Sequence, residues 1–128
     1  MYEMTSKIAY EMAGIGPKDV DVAEVQDTDS FSEIENCEEL GFCAKGEGGH
    51  MVDVGEFEIG GRLPVNPSGG LQSKGEPLGA SHFGQIYELV LQLRGNAGPR
   101  QVESTRIGLA QVFGAWGHCG VTLLKKAW

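Results

Sequence analysis

Apolar residues Met4, Ile8 and Met12 recur at every fourth position, the spacing of one face of an α-helix. Gly14 can leave the right-handed helix and Pro17 blocks its continuation, so the pattern predicts a helix that ends near residue 13. Val20, Val22 and Val25 alternate imperfectly and predict a buried strand over 20–25. The acids and hydroxyls of 26–30 break that strand and can cap the next element. A second helix is expected over 31–40, with Phe31, Ile34 and Cys37 inward and Gly41 as its stop. Glycines punctuate 46–61, which reads as a surface excursion with β-like pieces at Met51-Val52 and 57–59. Leu63-Pro64-Val65 then leads into 66–79, which shows no periodicity. The clearest helix covers 81–94: Ile86, Leu89, Val90 and Leu93 fall at i, i+3, i+4 and i+7, leaving Gln85, Glu88 and Gln92 to face away. Residues 106–113 and 120–125 read as strands of a hairpin turning at 114–117. The order α-β-α-excursion-α-β-β predicts one α/β domain over 1–128, a mixed sheet covered by helices.

Composition narrows the function classes. With 128 residues, 41% hydrophobic and 22% charged, the chain has the make-up of one globular domain with a real core. Its net charge of −8, and the lack of any basic cluster longer than Lys125-Lys126, exclude the footprint of a nucleic-acid binder. The acids between Glu24 and Glu58 are expected to form a solvated face. No apolar run approaches the ~20 residues of a membrane span. The first residues lack the basic and apolar regions of a signal peptide, so a cytoplasmic protein is expected. Cys37, Cys43 and Cys119 are odd in number and form no CxxC, which favours buried or inert thiols over a disulfide. His50, His82 and His118 show no ligand spacing, and no metal is expected. Trp116 and Trp128 are expected at packing or interface positions.

The stretch that carries chemistry runs from Asn66-Pro67-Ser68-Gly69-Gly70 to Ser73-Lys74-Gly75-Glu76-Pro77-Leu78-Gly79-Ala80-Ser81. Its glycines let the backbone pass close to a ligand or another segment. It ends at the N-terminus of the strongest helix, where free N–H groups and the dipole favour an anion or a developing oxyanion. The same residues also suit a structural loop with Ser81 as helix cap.

"NPSGGLQSKGEPLGAS" followed by "GQIYELVLQLRGNAGPRQV" resembles the C-terminal signature of the thiolase superfamily, in the branch of the sterol-carrier-type thiolases and thiolase-like lipid-transfer proteins. The resemblance extends upstream through "MAGIGPKDVDVAEVQD" and "GFCAKGEGG" and downstream through the hairpin. It implies a thiolase-like C-terminal half, packed against a similar N-terminal half that carries the nucleophilic cysteine. It also implies a coenzyme A thioester as substrate, with no covalently bound cofactor. The N-terminal half is not in this sequence, so the expectation is a fragment or one subunit of a split enzyme. Its partner would be another copy or an N-terminal-half chain, and relatives in this branch also work beside a small zinc-ribbon/OB-fold acyl-CoA-binding protein.

The departures from the thiolase pattern shape the functional expectation. Glu76 stands where the family's GHPxG motif has its histidine base; a carboxylate is also able to move a proton. Gly114 aligns with the family's second catalytic cysteine, while Cys119 falls later and reads as a structural thiol. In the loop 26–31, Gln26 or Asp27 is a candidate oxyanion donor or base, the alternative being an acidic capping loop. His82 replaces a glycine of most relatives and either reaches substrate or starts the helix at the surface. Asn66, Ser68, Gly69, Gly70, Ser81, Phe113 and Gly114 are the expected pocket residues.

These departures match those of thiolase-like aldolases of steroid side-chain breakdown, which cleave a β-hydroxyacyl-CoA by retro-aldol chemistry. That group has tyrosine where this chain has Phe113, which transfers no proton, so the steroid substrate does not carry over. The leading expectation is an acyl-CoA enzyme of aldol or Claisen type. A non-catalytic thiolase-like subunit comes second. A conventional acyl-CoA acetyltransferase comes third, because it needs base and acid from unfamiliar positions.

Overall fold

The computed structural model describes residues 2–127. In chain order the elements are α1 (Tyr2–Ala13), β1 (Val22–Glu24), α2 (Ser30–Glu39), α3 (Gly48–Asp53), α4 (Gly70–Lys74), α5 (Ser81–Arg94), β2 (Ile107–Phe113) and β3 (Cys119–Lys125). The sheet has the order β1-β2-β3. β1 runs parallel to β2, with Ala23 opposite Leu109, and β3 returns antiparallel, with Val121 opposite Gln111. Val65 adds a parallel bridge to Ala23 at the outer edge of β1.

The pleat sends alternate residues to two cores. Ala23, Val25 and Leu109 join Tyr10 of α1, Cys37 of α2 and Leu40, Phe57 and Leu63 on one face. Val22 and Ala110 meet Leu89 of α5 and Val102 on the other. The chain is thus a mixed sheet between helices, as the residue pattern predicts. Close packing of α5 depends on Gly108, where an added Cβ would lie 3.0 Å from Leu89 Cδ2.

Several finer expectations do not hold. The strand predicted over 20–25 is only Val22–Glu24. The β-like piece at Met51-Val52 lies in the helix α3, and 57–59 forms turns. The stretch 66–79 contains the short helix α4. Met4, Ile8 and Met12 do share a helix face, but it points outward; α1 buries Ser6 and Tyr10 instead, through the Tyr10 Oη bond to the Leu40 carbonyl (2.9 Å). Phe31 is exposed rather than inward.

The largest reversal is in α5, where Gln85, Glu88 and Gln92 are buried and Phe83 and Tyr87 are exposed. The buried polar groups are satisfied. Glu88 takes two bonds from Arg100 (3.2 and 3.0 Å), and Gln92 reaches the Arg100 carbonyl (2.7 Å) and the Val102 N–H (2.8 Å). The "QLRGNAGPRQV" segment is therefore a hydrogen-bonded clamp that leads the chain from α5 into β2. The acids between 24 and 58 also divide, since Glu24 and Asp27 are buried and do not belong to a solvated face. Trp116 is 97% exposed and does not join the core of the described residues; Trp128 lies outside them. All three cysteines are free. Among the described residues no helix is long and apolar enough to cross a membrane, and no group of His, Cys, Asp and Glu gathers to hold a metal.

Candidate active site

Because β1 and β2 are parallel, their carboxyl ends open on the same edge of the sheet, where ligands commonly bind in open α/β folds. The loop 25–29 leaves β1 there and the turn 114–118 leaves β2. The glycine-rich segment that precedes α5 comes to the same edge through Gln26.

Buried carboxylates and an amide build the 66–70 loop. Asn66, at φ 50°, donates its N–H to the Ala23 carbonyl (2.8 Å) and accepts from the Val25 N–H (2.8 Å), while its Nδ2 donates to Glu33 (3.2 Å). Glu24 accepts from Ser68 N (3.1 Å) and Oγ (2.7 Å), with Lys74 Nζ at 3.5 Å from the carboxylate and 2.6 Å from Ser68 Oγ. Asp27 Oδ1 accepts from Leu71 N (2.7 Å) at the start of α4. Gly70 lies against that carboxylate so closely that a Cβ would sit 1.9 Å from Asp27 Oδ2, at a φ of +64°. Burial pushes the carboxyls of Glu24, Asp27 and Glu33 above their ordinary values, and the hydrogen bonds only partly oppose it. Asn66, Ser68, Gly70 and Asp27 are thus occupied in shaping the loop, with exposed Gly69 at its turn.

Gln26 and Glu76 come together. Gln26 is 3% exposed; its N–H donates to Gln111 Oε1 (3.0 Å), and its carbonyl accepts from Asn36 Nδ2 (2.7 Å). Its side-chain Nε2 donates to Glu76 Oε1, and its own Oε1 has no hydrogen-bond partner among the described residues. Glu76 itself lies on an exposed segment, open to solvent. The site therefore presents one carboxylate held by one buried amide.

The remaining candidates divide. Both ring nitrogens of His82 are engaged, Nδ1 with Gln85 Oε1 (2.8 Å) and Nε2 with Thr122 Oγ1 (3.0 Å). Ser81 is the first residue of α5 rather than its cap; the cap position is Ala80, which makes no side-chain bond. Phe113 stacks edge-to-face on Tyr2 (5.7 Å, 73°), and Gly114 N donates to the His118 carbonyl (2.7 Å) to close the hairpin turn. Burial pushes the Cys119 thiol upward, which fits an inert group. Sequence reasoning missed Asn36, Gln85, Gln111 and Thr122, which orient the candidates. The one trace of them was a glutamine inside the otherwise apolar run of β2.

Comparison with known proteins agrees with this fold. The model of the family described as Thiolase C-terminal domain-like matches residues 2–126. Sterol carrier protein 2 of Rattus norvegicus is 46% identical over 127 residues, covering 97% of this chain and 23% of that protein. Acetyl-CoA acetyltransferase of Methanothermobacter thermautotrophicus is 49% identical over 109 residues, covering 85% of this chain and 28% of that protein. Among solved structures, a chain of the Ltp2-ChsH2(DUF35) aldolase superposes with a TM-score of 0.84 at 30% identity, over 98% of this chain and 32% of that one. This chain accordingly spans about a quarter to a third of the length of these relatives. With the family match running from residue 2 to residue 126, the chain belongs to the thiolase C-terminal domain-like family.

Proposed function

We propose that this chain is the acid/base-bearing C-terminal part of a thiolase-like enzyme that acts on coenzyme A thioesters by aldol-type chemistry. The observation that carries the reading is the Gln26–Glu76 contact, a carboxylate oriented by a buried amide where thiolases place a histidine. The names of the relatives support the substrate class and the reaction type, one being an acetyl-CoA acetyltransferase and another an aldolase. In the cleavage direction Glu76 removes the proton of a β-hydroxyl. The oxygen forms a carbonyl, the Cα–Cβ bond breaks, and its electron pair passes into the thioester carbonyl as an enolate. Glu76 then returns the proton to Cα, giving an acyl-CoA and a free aldehyde or ketone. No acyl-enzyme and no free coenzyme A enter this balance. Gln26 keeps the carboxylate in place.

Incubation of the purified assembly with a β-hydroxyacyl-CoA tests the reaction type. The reading expects a carbonyl product and acyl-CoA without added free coenzyme A; strict dependence on free coenzyme A would instead mean thiolysis.

A second reading, a thiolase-like subunit without its own chemistry that supports acyl-CoA binding by a partner, is favoured by one observation. The exposed face of α5 carries Phe83 and Tyr87 one turn apart, an apolar surface that suits a protein partner. Both readings assign that partner as an N-terminal-half chain or another copy, with a zinc-ribbon/OB-fold acyl-CoA-binding protein as a further one. Three free cysteines suit a cytoplasmic setting.

A further inference from the structure

His82 stands in the first turn of α5, immediately after the segment that carries Glu76, and its bonds leave it one role. Gln85 Nε2 donates to the Gln111 carbonyl (2.7 Å), so Gln85 Oε1 must be the atom that faces His82, as an acceptor. His82 Nδ1 therefore carries a hydrogen. In the neutral ring Nε2 is then the acceptor, and the Thr122 hydroxyl at 3.0 Å is its donor. Neither nitrogen is left to meet a substrate.

The contacts run on toward Glu76. Gln85 holds the carbonyl of Gln111 from the α5 side, and the Gln111 side chain holds the Gln26 N–H (3.0 Å). The Gln26 side chain holds Glu76. Gln85 thus holds the main chain of Gln111, and Gln111 the main chain of Gln26; the three glutamines are each at least 97% buried, and Gln111 Nε2 and Gln26 Oε1 have no partner among the described residues. The segment carrying Glu76 is also tied at both ends, by Gln26 at Glu76 itself and by His82 to β3 where α5 begins.

We propose that His82 is a positioning residue for the Gln26–Glu76 pair, acting through Gln85 and Gln111. The inference rests on the reading of Glu76 given above and concerns how that carboxylate is placed.

The test uses the full ¹⁵N-labelled chain and, in parallel, the enzyme assembled with its partner. In the chain, His82 is expected in the Nδ1–H form. His82→Ala is expected to shift the Gln26 side-chain amide signals and to speed their hydrogen exchange about five-fold. His82→Asn, whose amide nitrogen overlies Nδ1, restores them; His82→Gln, which keeps only the Thr122 contact, does not. In the assembly, His82→Ala lowers kcat about ten-fold with KM within about two-fold, and His82→Asn recovers most of it. An Nε2–H ring, or unchanged Gln26 amide signals in folded His82→Ala or His82→Gln chains, overturns the proposal. Turnover indifferent to Glu76→Gln removes the reading of Glu76 alone, because the amide signals still decide whether His82 sets Gln26.

Discussion

Glu24 lies in the middle of the fold, 1% exposed, with its carboxylate accepting from the N–H and the hydroxyl of Ser68 and facing Lys74. Its raised carboxyl has a definite consequence for stability. A group whose folded-state value lies above the unfolded one favours folding in its protonated form, so its contribution is present below the ordinary carboxylate range and is lost as pH rises through the raised value. Asp27 and Glu33 act in the same sense. The exposed carboxylates act oppositely: Glu3, lowered to about 2 by its bonds to Lys7 and Lys45, loses its contribution only in strong acid. The melting temperature is therefore expected to fall as pH rises above the ordinary carboxylate range, and Glu24→Gln is expected to flatten that fall in thermal denaturation followed by circular dichroism. An unchanged slope would mean that Glu24 is not the titrating group. None of this burial is visible in the sequence. Glu24 and Asp27 are of the same residue types as the exposed acids Glu35, Glu47, Asp53 and Glu58, and their place at the carboxyl end of β1 sets them apart.

At the scale of elements, the helices and the hairpin are legible because each has a local cause, whether an apolar period, a glycine stop or a turn residue. Orientation is less so. In α5, Ile86, Leu89 and Leu93 define one side correctly, and Leu89 is fully buried. Yet Gln85, Glu88 and Gln92 lie inward as well, because each has a hydrogen-bonding partner in β2 or in the turn after α5, separated from it by 8 to 26 residues. A periodicity argument counts polarity and cannot see such partners. The α1 stripe turned outward has the same origin, since Ser6 and Tyr10 find their partners on Glu39 and Leu40. Leu78, Phe83 and Tyr87 remain exposed around the start of α5. Changing Phe83 and Tyr87 together to Glu is expected to leave the melting temperature of the isolated chain within about 2 °C, because neither packs in its core. The same variant is expected to abolish association in native mass spectrometry of the complex; retained association would place the interface elsewhere.

For the whole molecule, the sequence motif and the fold agree on a thiolase C-terminal domain. The candidate pair Gln26 and Glu76 was legible as two separate residues, 50 positions apart, but their contact was not, since it depends on the loop after β1 and the segment before α5 meeting at one edge. Asp27 was an equal candidate in the sequence and proves to be engaged by the start of α4. In the proposed reaction Glu76 moves the proton in aldol-type chemistry on an acyl-CoA. The most direct test of that role is turnover by the complex purified through a tag on this chain, comparing Glu76 with Glu76→Gln, which keeps the shape and removes the titratable group. Glu76→Gln is expected to lose at least about a hundred-fold in turnover with the melting temperature and the association unchanged. Turnover retained within about two-fold would contradict it and leave the chain as a supporting subunit.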